Sequence, residues 1–243
     1  MTASTRLDVL MAERGIAESR SRAQALIMAG RVLVEGAVVT KAGSAVPASA
    51  RVELVAPPRY VSRGGEKLET ALRAFAIDVT GERCLDVGAS TGGFTQVLLE
   101  RGARRVYAVD VGRGQLHDSL RARPEVVSLE ETDIRKCSPA TFRETPNLVT
   151  VDVSFISLKL VLPAVGGLLK ARATLVALVK PQFEAGRRDL KKGIVRDAGI
   201  HATVEAEVTD AVAALGWRVL GVIPSPLLGG DGNREFLLGA ERG

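Results

Sequence analysis

Two apolar runs in this chain each end in a charge. Leu148-Val149-Thr150-Val151 leads into Asp152, and Leu175-Val176-Ala177-Leu178-Val179 leads into Lys180. Such runs read as strands, and an open parallel sheet holds its ligands in the crevice outside the carboxyl ends of its strands. An acid and an amine are therefore expected to share one cleft.

The sequence around these runs supports a sheet of that kind. From Arg83 on, strand and helix signals alternate: strands near 84–88, 105–110, 126–129, 148–153, 174–179, 217–223 and 235–240, helices near 92–100, 158–169 and 198–215. This order predicts a doubly wound, Rossmann-like α/β sheet. Ahead of it, Gly64-Gly65 opens a helix with Leu68, Ala71, Leu72 and Phe75 on one apolar face. Lys67 lies in its first turn, where the helix dipole disfavours a cation, a mild hint of function.

The first quarter of the chain is a different unit. Leu7, Leu10 and Met11 mark a short amphipathic helix that stops near Gly15. A second helix is expected from Ser21, which forms a capping box with Gln24, to Gly30. Short strands follow at 31–36, 37–40 and 51–55, giving a small α+β domain over residues 1–56. Paired prolines at 57–58 set a linker over 57–63, and the sheet domain takes 64–243. Residues 1–63 hold nine Lys/Arg and five Asp/Glu, a net +4, whereas the other 180 residues carry only +1. A basic excess gathered in one small domain is what a phosphate backbone calls for.

Several functions are excluded by composition. The two cysteines, Cys84 and Cys137, form no ligand or disulfide spacing. His117 and His201 are the only histidines and read as surface residues, so no metal site is expected. No apolar stretch approaches the roughly 20 residues needed to span a bilayer, and the amino terminus lacks a signal-like core, which places the protein in the cytoplasm.

A glycine-rich turn over Asp86-Val87-Gly88-Ala89-Ser90-Thr91-Gly92-Gly93-Phe94 joins the first strand of the sheet to its helix, and Asp110 ends the next strand. Small residues let a ligand approach the backbone, and an acid at the second strand end can take both hydroxyls of a ribose. The pattern is G-x-x-x-G-G and an acid precedes it, which suits a zwitterion better than a pyrophosphate. S-adenosylmethionine is therefore favoured over NAD, with Asp86, Gly88, Ser90, Thr91, Gly92, Gly93, Phe94 and Asp110 as its site. Asp86 is expected near the amino group. Asp133, after the third strand, is either an adenine contact or an ordinary capping acid.

Lys67, Asp152, Lys180 and Glu235 come from distant positions to one rim, provided the last strand runs antiparallel. In this order they resemble the Lys-Asp-Lys-Glu tetrad of the FtsJ-type ribose 2′-O-methyltransferases. Residues 5–56, with Arg6-Leu7-Asp8, Ser19-Arg20, Gly30, Val34-Glu35-Gly36 and Lys41, resemble the S4 RNA-binding domain. The two together resemble the TlyA family over essentially the whole chain, often labelled hemolysins. That resemblance implies methylation of cytidine 2′-hydroxyls in ribosomal RNA of the large subunit, with the small subunit as a second candidate.

It also implies ribosomal RNA or ribosomal subunits as partner, with no membrane and no obligatory protein partner. Arg6, Arg20, Arg22, Arg31 and Lys41 would face RNA from the small domain. Arg63 and the basic loop with Arg187, Arg188, Lys191 and Lys192 would do so beside the cleft. Lys180 is assigned as the group nearest the hydroxyl, a base if neutral and an oxyanion stabiliser if charged. Phe155, Phe183 and Phe236 read as core. The alternative is a catalytically silent RNA-binding or ribosome-assembly protein that keeps the fold for shape.

Overall fold

The computed structural model describes residues 4–56, 59–190 and 192–243. The chain divides into two compact units, Met1–Arg59 and Tyr60–Gly243.

The first unit runs β1 (Ser4–Arg6), α1 (Leu7–Glu13), α2 (Arg20–Met28), β2 (Val32–Val34), β3 (Ala37–Val38), β4 (Ala45–Pro47) and β5 (Val52–Leu54). β1 pairs with β4, and β3-β2-β5 form a second small antiparallel sheet. Leu7, Met11, Ala23, Ile27 and Val32, all fully buried, make its core. The cap of α2 is Ser19, whose hydroxyl accepts from the Arg22 N–H at 3.2 Å, two residues before the expected box at Ser21. Gln24, the other half of that box, instead reaches Asp8, donating to Oδ2 at 2.7 Å. Strands β1 and β4 were not expected, because three residues with no apolar alternation give no signal.

The second unit runs α3 (Gly64–Ala74), β6 (Arg83–Val87), α4 (Gly93–Glu100), β7 (Arg105–Val109), α5 (Asp118–Arg121), β8 (Val126–Leu129), β9 (Leu148–Val151), α6 (Leu158–Gly166), β10 (Ala173–Val179), α7 (Pro181–Glu184), α8 (Ala198–Ala214), β11 (Arg218–Pro224) and β12 (Phe236–Arg242). Its seven strands lie in the order β11-β12-β10-β9-β6-β7-β8, and β12 alone runs against the others. The chain winds outward from β6 to β8 and then returns to place β9 on the other side of β6. That reversal opens the crevice at the ends of β6 and β9.

Alternate residues of each strand face opposite layers. Cys84, Val106, Leu148, Val176 and Leu237 pack with Leu68 and Leu72 of α3 and Val97 and Leu98 of α4. Leu85, Tyr107, Val149, Leu175 and Ala177 pack with Val161 and Val165 of α6 and Val204, Val208 and Val212 of α8. The strands are thus buried on both faces, which explains their near-continuous apolar sequence.

Residues 60–63, read from the sequence as linker, belong to this unit in the structure. Tyr60 is buried, and a Cβ on Gly65 would fall 2.2 Å from its ring. The Val61 N–H donates to Gln96 Oε1 at 2.8 Å. Prolines 57 and 58 lie outside the described residues.

Candidate active site

The antiparallel run of β12 decides where the reacting groups meet. Val179 of β10 pairs with Phe236 of β12, so Lys180, just past one strand, and Glu235, just before the other, lie at the same rim. Asp152 follows β9, the parallel neighbour of β10. Lys67 reaches the rim from the first turn of α3.

The four charges form two ion pairs. Lys67 Nζ lies 2.5 Å from Glu235 Oε2, both side chains being nearly sealed from solvent. Lys180 Nζ lies 2.6 Å from Asp152 Oδ1 and donates to Ser154 Oγ at 2.9 Å. The second pair is more open, with 12% and 22% of the side chains exposed. A buried cation disfavoured by its own helix dipole is tolerable because a carboxylate faces it directly.

A cavity of about 380 Å³ opens over the ends of β6, β7 and β9, lined by Gly88, Ser90, Asp110, Val111, Asp133, Ile134, Asp152 and Phe155 among others. A second, of about 220 Å³, shares Gly88, Ser90 and Asp152 with it and adds Ser62, Arg63, Lys67, Thr91, Gly93 and Phe94. Lys67 and Asp152, one from each ion pair, therefore stand on the wall of the same space. Gly88, at φ +83°, is required at this junction, since a Cβ there would lie 2.2 Å from the Asp152 carbonyl oxygen. The turn after β6 can approach the end of β9 this closely only as glycine.

Asp110 holds the turn in place. Its carboxylate accepts from the Ser90 N–H at 2.8 Å and the Gly112 N–H at 2.7 Å, and still lines the larger cavity. Asp133 accepts from the backbone and guanidinium of Arg135, which holds its carboxyl down at about 2. It caps the turn that follows and also stands on the cavity wall. An adenosine suits the larger cavity: Val111 and Ile134 offer apolar faces, Asp110 a diol acceptor and Asp133 a hydrogen-bond acceptor.

A family of FtsJ-like methyltransferases matches residues 60–242 of this sequence, and the S4 domain matches residues 5–52. The chain belongs to the FtsJ-like methyltransferase family. It is 46% identical over 241 residues to the Mycobacterium tuberculosis 16S/23S rRNA (cytidine-2′-O)-methyltransferase TlyA, covering 98% of this chain and 90% of that one. The Bacillus subtilis protein YqxC is 48% identical over 236 residues, 96% of this chain and 84% of its own length. A solved structure from Streptococcus thermophilus, described as a candidate hemolysin, superposes with a TM-score of 0.77 at 43% identity, covering all of this chain and 90% of that one. Among the described residues no helix is long and apolar enough to cross a membrane.

In this FtsJ-like chain the predicted cofactor residues separate into three groups. Gly88, Ser90, Thr91, Gly93, Phe94, Asp110 and Asp133 line the cavities. Gly92 lines neither; at φ +96° it packs where a Cβ would strike Leu120 at 2.3 Å. Asp86 lines neither as well. Its carboxylate is fully buried and accepts from Thr95 Oγ1 at 2.7 Å and Thr150 Oγ1 at 2.9 Å, tying α4 and β9 to β6. Burial, with no cation to offset it, pushes its carboxyl up to about 6.

The predicted RNA residues also divide. Arg22, Lys41, Arg63, Arg188 and Lys192 are exposed. Arg6 and Arg20 are half-exposed, and both bind the fully buried Asp8. Arg31 donates to the Val55 carbonyl, closing the end of β5. Lys191 and the side chain of Arg187 lie outside what the structure describes.

Sequence reasoning missed three participants and misplaced a fourth residue. Ser62 and Ser154 carry no signal of their own. Glu184 in α7 accepts from Ser157 Oγ at 2.5 Å and the Leu158 N–H at 2.7 Å, bracing the loop after Asp152 against the segment after Lys180. Phe155, expected in the core, is 90% exposed at φ +65° and rests against Phe183 with ring centroids 5.1 Å apart. Its place outside the apolar periodicity of both flanking elements was the available clue. Phe236 is buried.

Proposed function

We propose that this chain transfers the methyl group of S-adenosylmethionine to the 2′-hydroxyl of a cytidine in ribosomal RNA. Large-subunit RNA is the first substrate to test and small-subunit RNA the second. The observation that carries the reading is the pairing of Lys180 with Asp152 and of Lys67 with Glu235 at one rim, with Asp152 on the wall of both cavities and Lys67 on the wall of the second.

When bound, the sulfonium cofactor supplies an electrophilic methyl group, with Asp110, Asp133 and the turn over residues 88–94 as its holders. The chain's own part is mainly alignment, which in an in-line displacement supplies much of the rate. Lys180 donates to the ribose oxygen as negative charge builds there, while the hydroxyl proton passes to solvent water and the methyl group exchanges its bond to sulfur for one to that oxygen. Asp152 and Ser154 fix that ammonium in position, and the sealed Lys67–Glu235 pair forms the back wall. Phe155 offers an exposed aromatic face beside the cavity. Arg22, Lys41 and the exposed bases of the cleft contact RNA phosphates, and the reaction is placed in the cytoplasm with its ribosomal substrate.

Transfer of labelled methyl from S-adenosylmethionine to unmodified large subunits, small subunits and whole ribosomes, followed by mapping of ribose methylation, tests this directly. The expected result is label on a cytidine 2′-oxygen, with kcat reduced about 10²- to 10³-fold in Lys180→Ala while RNA binding is retained. Cofactor and RNA binding with no label on any RNA would favour the silent RNA-binding protein instead.

A further inference from the structure

A third cavity, of about 660 Å³, lies outside the catalytic site, between the segment that follows the basic loop and the turn that precedes β12. We propose that Arg196, His201 and Arg234 on its wall form a phosphate-binding subsite for the backbone of the substrate RNA. The inference rests on the methyltransferase reading for the identity of that RNA.

The cavity is held together by Asn233, which is completely buried. Its Oδ1 accepts from the Val195 N–H at 3.0 Å, its Nδ2 donates to the Gly193 carbonyl at 3.0 Å, and its own carbonyl accepts from the Gly229 N–H at 2.9 Å. One amide thus pins two chain segments together, with Arg196 one residue beyond the first and Arg234 one residue beyond Asn233 itself. Among the described residues neither guanidinium has an ion pair, and no acid lines the cavity. The neighbouring Asp197 is engaged as the cap of α8, accepting from the N–H groups of Gly199 and Ile200.

His201 supplies the second observation. Contrary to its reading as a surface residue, it is 7% exposed, set edge-on against Phe236 with ring centroids 5.7 Å apart. Its Nε2 is buried with no hydrogen-bond partner among the described residues. An unmet buried polar atom costs about 1–3 kcal/mol, so such atoms mark places where a ligand or water completes the structure. Two guanidiniums, unpaired among the described residues, beside an imidazole with an unmet nitrogen, form a cationic wall matched to phosphate oxygens.

The location gives the subsite its use. Arg234 directly precedes Glu235, whose carboxylate pairs with Lys67. A phosphodiester held by Arg234 would be gripped by the chain segment that also carries Glu235. Contacts of this sort fix the register of a nucleic acid without reading its sequence.

The test uses the full chain carrying His117→Gln, which leaves His201 as the sole imidazole. Its NMR resonances are followed while adding inorganic phosphate, the dinucleotide cytidylyl-cytidine, or cytidine alone. Both phosphate-bearing compounds are expected to shift His201 and cytidine is not, and the response should vanish in Arg196→Gln/Arg234→Gln. In methyl transfer to ribosomal RNA, that double variant should raise KM about tenfold and leave kcat within about twofold, with S-adenosylmethionine affinity unchanged. A His201 signal indifferent to phosphate, or a double variant with the parent KM, would overturn the subsite while leaving the methyltransferase reading intact. A normal phosphate response in a chain that methylates no RNA would remove that reading and its RNA ligand together, leaving an anion site of another purpose.

Discussion

Each unit of this chain seals one carboxylate completely from solvent, and the two are driven in opposite directions. Asp8, in the first unit, is held by the guanidiniums of Arg6 and Arg20 and the amide of Gln24, and Arg6 leads in pulling its carboxyl far below the ordinary range. Asp86, in the second, meets only the hydroxyls of Thr95 and Thr150, and burial raises it to about 6. Neither carboxylate is accessible to solvent, but Asp8 lies just beneath the surface and Asp86 deep in the core, so depth of burial and the charge of the partners act together to separate them. The first unit thereby fixes a negative charge under two half-exposed arginines. The second lets its inner acid hold a proton up to about pH 6, and Asp152 and Glu235 are the carboxylates that face lysines at the rim.

The strongest way to break this comparison is Asp8→Ala. Removing it leaves two guanidiniums without a partner and opens a hole beside Leu7 and Met11, and the first unit should lose about 3–5 kcal/mol at pH 7. Because the folded carboxyl is depressed, its contribution is present above the unfolded value near 3.8 and fades as pH falls below it. Chemical denaturation at pH 7 and pH 3 should show the gap between parent and variant narrowing by about 1 kcal/mol at the lower pH, with the remainder lost only as pH falls further toward the folded value. A gap of the same size at both values would mean that packing, and not charge, is what Asp8 contributes.

The opposite sign is expected at Asp86. A carboxyl raised from 3.8 to about 6 favours folding fully below pH 4 and loses that contribution as pH rises through 6. The loss is about 2–3 kcal/mol for a group this deeply buried. Asp86→Asn keeps the shape, and the threonine hydroxyls can turn to accept from the new amide. The second unit of the variant should therefore show a flat stability between pH 4 and 7 where the parent declines. An equal decline in both would place the titrating group elsewhere.

Thr150→Val sharpens the same contrast at smaller scale. It removes one of two hydroxyl donors to Asp86 without changing volume, leaving Oδ1 unmet. The cost should be about 1–2 kcal/mol at pH 8 and smaller at pH 5, where the neutral carboxyl demands less. Equal cost at both values would show that Asp86 does not change charge in that range.

These contrasts also mark how far the sequence could be read. The tetrad was legible because each member follows or precedes a run whose period is unmistakable: Asp152 and Lys180 after apolar strands, Glu235 before one, Lys67 on a helix with a clear apolar face. The antiparallel run of β12, needed to bring Glu235 to the rim, was a condition the sequence could state and only the sheet could supply. The arginines of the first unit were harder. Arg6 and Arg20 read as RNA-facing cations, yet both turn to an aspartate 2 and 12 residues away in sequence. Asp86 looked like a ligand contact because it borders the glycine turn, but strand alternation points it inward between Thr95 and Thr150. Asn233 and Glu184 join segments distant in sequence and have no local pattern to announce them.

Glu184 gives the mildest test, on a carboxylate built like Asp86 but partly open to solvent. It too accepts only from neutral donors, Ser157 Oγ and the Leu158 N–H. Glu184→Gln should change stability by less than about 1 kcal/mol. Its effect should fall on the loop that follows Asp152. An amide at this position can keep the Leu158 bond through its oxygen and reverse the other, donating to Ser157 Oγ, so the brace weakens from charge-assisted to neutral bonds while the Lys180–Asp152 pair keeps its groups. The reacting alignment should loosen, lowering kcat about 3- to 10-fold with S-adenosylmethionine affinity and RNA KM little changed. Glu184→Ala, which frees both donors, should lower it further, in the same parameter. If both variants instead raise KM and spare kcat, the brace serves RNA binding, and the rigid tie belongs with the phosphate contacts and not with the reacting centre.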